Sequence, residues 1–345
     1  MNIKSISIQK TNQLKSIAIL MMLFLHLFNR DYYGLFKPLI FIGNQPLSYY
    51  ISLFCDACVP IFAFVSSYGL YFSYINNQKQ FPTKNLDRTK KLYFKYWIIL
   101  IFFAVILGLF LYKEGYPGNW IKFLLNFTAI STSYNGAWWF FTIYILFVFT
   151  CVFWFNLLEV LNRYVYFGIL LFVYFLAFYF RIYKTEIFTN YILQWFHVQG
   201  SLYFCTLFQF MLGAFALKYQ WHKKFSVLFY KLRSKNTIAI LGIVLLIVIH
   251  GLIPNYVVAP FTGLGFIFLF LQIGLTKKAQ KLLDFFTPHS TNIWLIHMFF
   301  YLIYFKEIIY APQYPLLIFG WLVFLFLISS FLINFIYNKL ENTVL

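Results

Sequence analysis

Acidic side chains, and charged side chains in general, are scarce in this sequence. Nine Asp and Glu stand beside 27 Lys and Arg among 345 residues, and charged residues make up 10% of the chain, against roughly 25% in a soluble domain. The hydrophobic share is 62%, with 48 Phe and 28 Tyr. So little charge could not keep that much apolar surface dissolved in water, whereas a bilayer accepts it. The composition therefore excludes an ordinary soluble domain and indicates a membrane protein.

Cysteine is also scarce, and its four copies form no metal-binding or disulfide pattern. Cys55 and Cys58 make a C-x-x-C pair, but they fall inside an apolar run, and no His or Cys group nearby completes the four ligands of a zinc site. Cys151 and Cys205 are isolated. The cysteines are therefore interpreted as small apolar residues of helices, and no metal or bound cofactor is predicted.

Long apolar runs are what the sequence has in abundance. A helix needs about 20 residues to cross about 30 Å of hydrocarbon, and the runs are apolar all round. The predicted fold class is all-α: a polytopic transmembrane bundle of about ten helices, forming one domain over residues 1–345 without a soluble domain. The aromatic and basic run 221–233 predicts an interfacial helix. The predicted spans are residues 16–28, 47–75, 92–112, 137–158, 164–180, 201–217, 237–253, 257–275, 291–304 and 314–337.

Lysine and arginine collect on one side of these predicted spans. With the N-terminus placed in the cytoplasm, the inside segments hold 19 Lys and Arg and the outside loops hold 7. Cytoplasmic loops of membrane proteins carry such an excess, so both termini are predicted to be cytoplasmic. Nucleic-acid binders instead cluster their basic residues on one soluble face, so no nucleic-acid partner is expected.

Polar side chains inside a membrane are costly and are where function is expected. Asp56 is the one acid well inside a predicted span, and His26 and His297 also fall within spans. Lys15 lies eleven residues before His26, which places both on one helix face about 16 Å apart along the axis. A cation near the cytoplasmic boundary and a titratable imidazole deeper in the membrane suit a path that admits an anionic donor and transfers a proton further in.

Two interpretations of His26 stay open from the residues alone. Its ring either takes part in proton transfer or only hydrogen-bonds a neighbouring helix, and a lone histidine in a span fits both. Asp56 descends from the outer side on the next predicted helix. Its carboxylate is therefore expected to approach His26, fix the imidazole tautomer and stabilise the imidazolium.

Five short motifs occur in order over nearly the whole chain. They are L-K-S-I-A-I-L followed by L-H (residues 14–26), V-P-I-F-A-F-V-S-S-Y-G (59–69), the basic segment R-T-K-K-L to K-Y-W (88–97), W-W-F (138–140) and S-T-N-I-W-L-I-H (290–297). In this order they resemble the motifs of the acyltransferase family 3 integral membrane proteins. Lys15 stands where that family usually has arginine, and so lacks the planar fork that binds phosphate bidentately. Ser67 stands where glycine is usual.

The resemblance implies an activity and a location. It implies transfer of an acyl group, usually acetyl, from cytoplasmic acyl-CoA to a hydroxyl of a cell-surface or lipid-linked polysaccharide such as a capsule or exopolysaccharide. Acetyl-CoA is then a substrate, and the other partners are the polysaccharide and the lipid bilayer. The chain resembles the stand-alone O-acetyltransferase type of a bacterial cell membrane, without the extracytoplasmic hydrolase-like domain of many members.

The resemblance also implies roles for single residues. His26 is expected to act as the catalytic base or to activate an acyl relay, and the position of Asp56 on the next predicted helix adds it as the orienting carboxylate. His297 lies nearer the cytoplasmic end of its predicted span and is therefore expected to position the donor. The other expected donor-binding residues are Lys15, Arg88 and Lys91, and the remaining motif residues are Ser66, Tyr68, Trp138, Trp139 and Ser290.

Two further classes of membrane protein stay open as hypotheses. A transporter or flippase for lipid-linked glycans would predict inverted repeats and broken helices, and the sequence shows no such repeat. A purely structural membrane subunit would not need Asp56, His26 and His297 inside the membrane. Positive-inside topology alone would account for most of the basic residues. The identity of the acyl group and of the acceptor sugar, and homo-oligomerisation, stay open as well.

Overall fold

The computed structural model describes residues 5–344 and shows an all-α polytopic bundle, as the sequence predicts. One two-residue antiparallel pair, β1 (Phe41–Ile42) with β2 (Gln45–Pro46), lies in the first loop. The helices are α1 (Ile8–Phe28), α2 (Leu47–Phe54), α3 (Cys58–Asn76), α4 (Phe81–Ile99), α5 (Leu107–Phe110), α6 (Trp120–Phe127), α7 (Trp139–Val160), α8 (Arg163–Ile182), α9 (Tyr191–Lys218), α10 (Trp221–Tyr230), α11 (Lys235–Leu252), α12 (Ala259–Gln272), α13 (Lys277–Phe286), α14 (Ser290–Met298), α15 (Lys306–Tyr310) and α16 (Pro315–Val344).

Within residues 5–344, eight helical segments are long and apolar enough to cross a membrane. Each of the ten predicted spans overlaps a helix, and the two that fall short of this length are the apolar segment Tyr256–Gln272 and the segment 290–304. The eight long segments are Ile8–Phe28, Leu47–Asn76, Phe81–Phe110, Gly136–Val160, Arg163–Ile182, Tyr191–Lys218, Lys235–Leu252 and Pro315–Glu341.

Several helices extend beyond their predicted boundaries. The third span begins at Phe81 rather than at residue 92, with Pro82 in its first turn, where the missing N–H has no helical partner to lose. The fifth ends at Ile182 rather than at residue 180, which brings Arg181 into the helix. The reason is that an apolar run marks only the hydrocarbon-crossing part of a helix, whereas the helix continues through the polar headgroup region. The basic segment before the third span is therefore helical.

Three of the spans are interrupted by other helix types. The second contains a 3₁₀ turn, Cys55–Ala57, between α2 and α3, and Asp56 is its central residue. The third and ninth contain the π-helical stretches Leu100–Ile106 and Phe299–Tyr304. Such irregular turns inside helices often occur at functional sites. The predicted interfacial helix of residues 221–233 is observed as α10, Trp221–Tyr230.

The closest helix crossing joins α3 to α9. A Cβ atom on Gly213 would lie 2.1 Å from the Phe64 carbonyl oxygen, so only glycine permits this distance. The Ala214 backbone N–H donates to Ser67 Oγ at 3.2 Å in the same crossing. Small residues allow transmembrane helices to approach closely. Glycine on α9 thus provides the close approach even though Ser67 replaces the expected glycine on α3.

The first and ninth spans lie side by side and run in the same direction. The hydroxyls of Ser16 and Thr287 are 3.2 Å apart at one level. Ten residues further along each span, the rings of His26 and His297 are in contact, with centroids 4.8 Å apart. This matched register brings the two intramembrane histidines to the same depth.

Candidate active site

One cavity of about 750 Å³ contains most of the predicted site residues. It extends along α1 from Lys15 to His26, a helical distance of about 16 Å. Eight of the eleven predicted residues line it, and Tyr68, Trp138 and His297 do not. The eight are Lys15, His26, Asp56, Ser66, Arg88, Lys91, Trp139 and Ser290.

The end of the cavity nearer the basic loops carries concentrated positive charge. The charges of Lys15 and Arg88 repel each other, and Lys95 lies nearby, held by Asn334 at 3.3 Å and by the ring of Tyr337. Within residues 5–341 no carboxylate lies within 4.0 Å of Lys15, Arg88 or Lys95. Two cations that face each other without a carboxylate form a ready site for an anion.

Lys91 differs from these three cations because it already has a partner. Its Nζ forms a 3.0 Å salt bridge with Glu341, and 62% of the lysine side chain is exposed. An ion pair at an exposed rim contributes little binding energy, and its charge is neutralised locally. The predicted donor contact through Lys91 therefore has less support in the geometry than the one through Arg88.

The inner end of the cavity is built around a stack of three rings. His26 lines the cavity, His297 lies behind it, and Tyr301 stacks on both, with centroids 5.8 and 6.0 Å away. The His297 Nδ1 lies 2.6 Å from the Trp294 carbonyl oxygen. A carbonyl can only accept, so Nδ1 carries a proton, and in the neutral ring Nε2 is the unprotonated nitrogen. This buried Nε2 has no hydrogen-bond partner in the described part of the chain.

The position of His297 differs from the sequence-based expectation. We expected it near the donor at the cytoplasmic end, whereas its ring contacts His26. The difference arises because the parallel register of the two spans, set by the contact between Ser16 and Thr287, was not visible in the sequence. His297 is placed to support the imidazole of His26 rather than to reach phosphates at the basic end.

Asp56 lines the same inner end, but it interacts with a different residue from the one expected. Within the described residues it makes no hydrogen bond or ion pair with His26, and its charge interacts with that of Arg181. The Arg181 guanidinium lies over the rings of Trp139, at 5.2 Å, and Tyr256, at 4.8 Å. The predicted orientation of His26 by Asp56 is thus replaced by an electrostatic pair of Asp56 with Arg181 inside the cavity.

Arg181 is the residue of the site that sequence reasoning missed. It was assigned to an outside loop because the apolar run ends at residue 180. A signal was nonetheless present, because an acid inside a span needs a cationic partner, and Arg181 stands directly at the end of a predicted span. The helix that contains it ends at Ile182, so its side chain reaches the cavity.

The comparison with known protein families agrees with this geometry. The model of a family described as an acyltransferase domain matches residues 9–336. The chain belongs to acyltransferase family 3. No curated protein and no solved structure matches it. As a member of this family it is a multi-pass membrane acyltransferase.

Some of the motif residues in this acyltransferase have structural contacts instead of lining the cavity. The Trp138 Nε1–H and the Asn135 amide both donate to the Leu295 carbonyl oxygen, at 2.9 and 3.0 Å. They tie the start of α7 to α14, the helix that carries His297. Tyr68 accepts a hydrogen bond from the Ile6 backbone N–H at 2.8 Å. These residues position the cavity walls.

Acyl transfer requires a nucleophile, a base and a bound donor, and the cavity can supply the last two. His26 presents a titratable ring to the cavity, and the three unpaired cations can hold an anionic donor. A hydroxyl is a weak nucleophile at neutral pH, so a positioned imidazole contributes roughly 10²–10⁴-fold in rate. The arrangement suits transfer from an anionic carrier to a hydroxyl brought to His26.

Proposed function

We propose that this acyltransferase moves an acyl group, acetyl in the first instance, from acyl-CoA to a hydroxyl of a cell-surface or lipid-linked polysaccharide. The proposal places the protein in a bacterial cell membrane with both termini in the cytoplasm. It depends above all on one observation: a single cavity joins a cluster of unpaired cations to His26. Acyl-CoA enters from the basic side, and the acceptor meets the acyl group at the inner end.

The phosphates of coenzyme A account for the basic end of the cavity. Arg88 and Lys15 face each other there, and an anion between them relieves their mutual repulsion. Two guanidinium nitrogens of Arg88 donate to Asn85 Oδ1, at 2.8 Å, and to Ser73 Oγ, at 3.4 Å. The rest of its five N–H groups are left for phosphate oxygens. The extended pantetheine arm then passes along α1 and presents the thioester to His26.

The chemistry at the inner end uses His26 as a proton carrier. Its imidazole removes the proton of the acceptor hydroxyl as the oxygen attacks the thioester carbonyl. The C–S bond breaks, and the departing thiolate takes the proton back from the imidazolium. His297, whose ring lies behind His26 with the two planes tilted by 34°, fixes the orientation of that ring through contact rather than by exchanging protons with the substrate.

The test is a transfer assay with the full chain in lipid vesicles. Labelled acetyl-CoA is supplied with surface polysaccharide from which O-acyl groups have been removed by mild base. We expect base-labile label in the polysaccharide with the wild-type protein and none with His26→Ala. The proposal would be overturned if the folded wild-type protein transferred no label from acetyl-CoA to the polysaccharide and gave no product with any of a panel of other acyl-CoA donors.

A further inference from the structure

A second cleft lies at the end of the bundle opposite the unpaired cations. It has a volume of about 560 Å³ and is formed by the loop after α6 together with the first turns of α9. None of its residues belongs to the five sequence motifs or lines the reaction cavity. Its walls are lined by Leu125, Ile130, Ser131, Thr132, Ser133, Tyr191, Ile192, Trp195, Phe196 and Gln199.

The lining of this cleft combines aromatic rings with uncharged polar groups, and none of its residues carries a charge. Ser131 accepts from the Ser133 backbone N–H at 3.3 Å, and Ser133 accepts from Asn126 at 2.8 Å. Both hydroxyls therefore keep their own O–H as a donor. The chemistry favours a neutral ligand that is rich in hydroxyl groups and has apolar faces, rather than an anionic headgroup.

Gln199 provides the sharpest indication that the cleft is a binding site. Its side-chain Oε1 is buried and has no hydrogen-bond partner in residues 5–341. A buried polar atom without a partner is costly, and in native proteins it calls for a specific explanation such as a bound group. The atom belongs to a residue that lines the cleft, so a hydroxyl of a ligand in the cleft would satisfy it.

The length of α9 places the cleft at the level of the headgroups and the water beyond them. The helix has 28 residues, Tyr191–Lys218, or about 42 Å at 1.5 Å per residue, whereas hydrocarbon is about 30 Å thick. The apolar run of this helix begins only at residue 201, so it is the first turns that project beyond the apolar layer. Tyr191 is 77% exposed and Phe196 62% exposed on this projection. Rings at this level lie among headgroups and water rather than within the hydrocarbon.

The chain itself connects the cleft to the inner end of the reaction cavity, where His26 lies. The Trp195 Nε1–H donates to the Ile130 carbonyl oxygen at 3.0 Å, which holds the two walls of the cleft together. Four residues after Ser133, the same segment reaches Ala137, which lines the reaction cavity together with Trp139. A polymer held in the cleft would have its neighbouring unit beside the inner end of that cavity.

We propose that this cleft is the docking subsite for the glycan acceptor, binding sugar units on the non-cytoplasmic side next to the one that receives the acyl group. The inference rests on the proposed function, since it assumes a polysaccharide acceptor. Tyr191 and Phe196 stack on the apolar faces of sugar rings. The serine hydroxyls and Gln199 Oε1 bond to sugar hydroxyls. The cleft therefore contributes to acceptor affinity, whereas the donor is bound elsewhere.

The test measures acceptor and donor KM separately in the vesicle transfer assay, with the de-O-acylated polysaccharide as probe. Gln199→Leu keeps the side-chain volume and removes the unpartnered oxygen, so it leaves folding intact. Tyr191→Ala removes an exposed ring. We expect each to raise acceptor KM roughly three- to tenfold, the size of one lost hydrogen bond or stacking contact, with donor KM unchanged. The matched control is Tyr183→Ala, which removes another exposed tyrosine ring (63%) at the same end of the neighbouring helix, outside the cleft.

The outcomes separate this inference from the proposed function. No transfer by the wild-type protein contradicts the proposed function itself. Normal transfer with acceptor KM unchanged in both variants overturns the glycan subsite alone. If Gln199→Leu and Tyr191→Ala instead change co-purified lipid in mass spectrometry and leave acceptor KM unchanged, the cleft is a lipid site and the inference is wrong.

Discussion

His26 and His297 lie at the same depth and touch each other, yet only His26 reaches the cavity. We therefore expect different consequences from changing each. His26→Ala and His26→Gln should both reduce acyl transfer by roughly 10²–10⁴-fold, because neither side chain takes up a proton at neutral pH. His297→Phe keeps the ring stack and should retain most of the activity. Base-labile acylation of the polysaccharide, normalised to protein in the membrane, is the measurement.

The result with His297→Phe distinguishes the two histidines. If His297→Phe abolished transfer whereas His26→Gln preserved it, the base would be the buried histidine and the assignment to His26 would be wrong.

Arg88 and Lys91 stand three residues apart, but only Lys91 has a carboxylate partner. Arg88→Gln should raise the apparent KM for acetyl-CoA by about tenfold or more, since a charge-assisted hydrogen bond contributes about 1.5–3 kcal/mol. Lys91→Gln should change it by less than about threefold because exposed ion pairs contribute little. Initial rates at varied acetyl-CoA concentration give both KM values. Equal effects of the two substitutions would contradict the predicted difference in donor binding between Arg88 and Lys91.

Asp56 and Arg181 form the other charged pair of the cavity. Removing Arg181 alone leaves a buried carboxylate without its cation, which destabilises a protein. Arg181→Met should therefore lower stability more than the double variant Arg181→Met with Asp56→Asn, with a coupling of about 0.5–3 kcal/mol. Thermal unfolding of the four proteins in detergent completes the double-mutant cycle. Additive changes would show that the two charges do not interact.

At the level of helices, the crossing of α3 and α9 depends on one glycine. A Cβ on Gly213 would lie 2.1 Å from the Phe64 carbonyl oxygen, so Gly213→Ala must separate the two helices. We expect a loss of about 1–3 kcal/mol, as for overpacking in a core. Gly168 in α8 has no atom within 4 Å of the corresponding position. Gly168→Ala should be neutral or stabilise by up to about 1 kcal/mol.

Melting temperatures in detergent and the yield of monodisperse protein test this pair of substitutions. If Gly168→Ala lowered the melting temperature as much as Gly213→Ala, the close helix packing at residue 213 would not be the reason that glycine is needed there.

Helix boundaries and helix register set the limit of what the sequence could predict. Each of the ten apolar runs overlaps a helix, and the predicted site residues Lys15, His26 and Asp56 line one cavity. The same runs ended before Arg181, because the polar end of a helix has no apolar signal. The depth of His297 depended on how α1 aligns with α14, which is set by side-chain contacts between distant parts of the chain.

Across the whole molecule, the unpaired cations and the neutral cleft lie at opposite ends of the bundle. This asymmetry agrees with the split of 19 and 7 basic residues between the two sides. Because cytoplasmic segments carry the excess, the cation cluster is expected to face the cytoplasm, where acyl-CoA is made. The glycan cleft then faces outward. One orientation thus serves both substrates.

The orientation can be tested with single new cysteines, since all four native cysteines are buried. Lys113 and Lys281 are exposed and lie on opposite sides of the predicted membrane. In intact cells, a membrane-impermeant maleimide should label Lys113→Cys and should not label Lys281→Cys until the cells are opened. Both should react in opened membranes, which controls for access to the thiol. Labelling of Lys281→Cys alone in intact cells would reverse the orientation, and the cation cluster would then face away from the cytoplasmic donor that the proposed reaction requires.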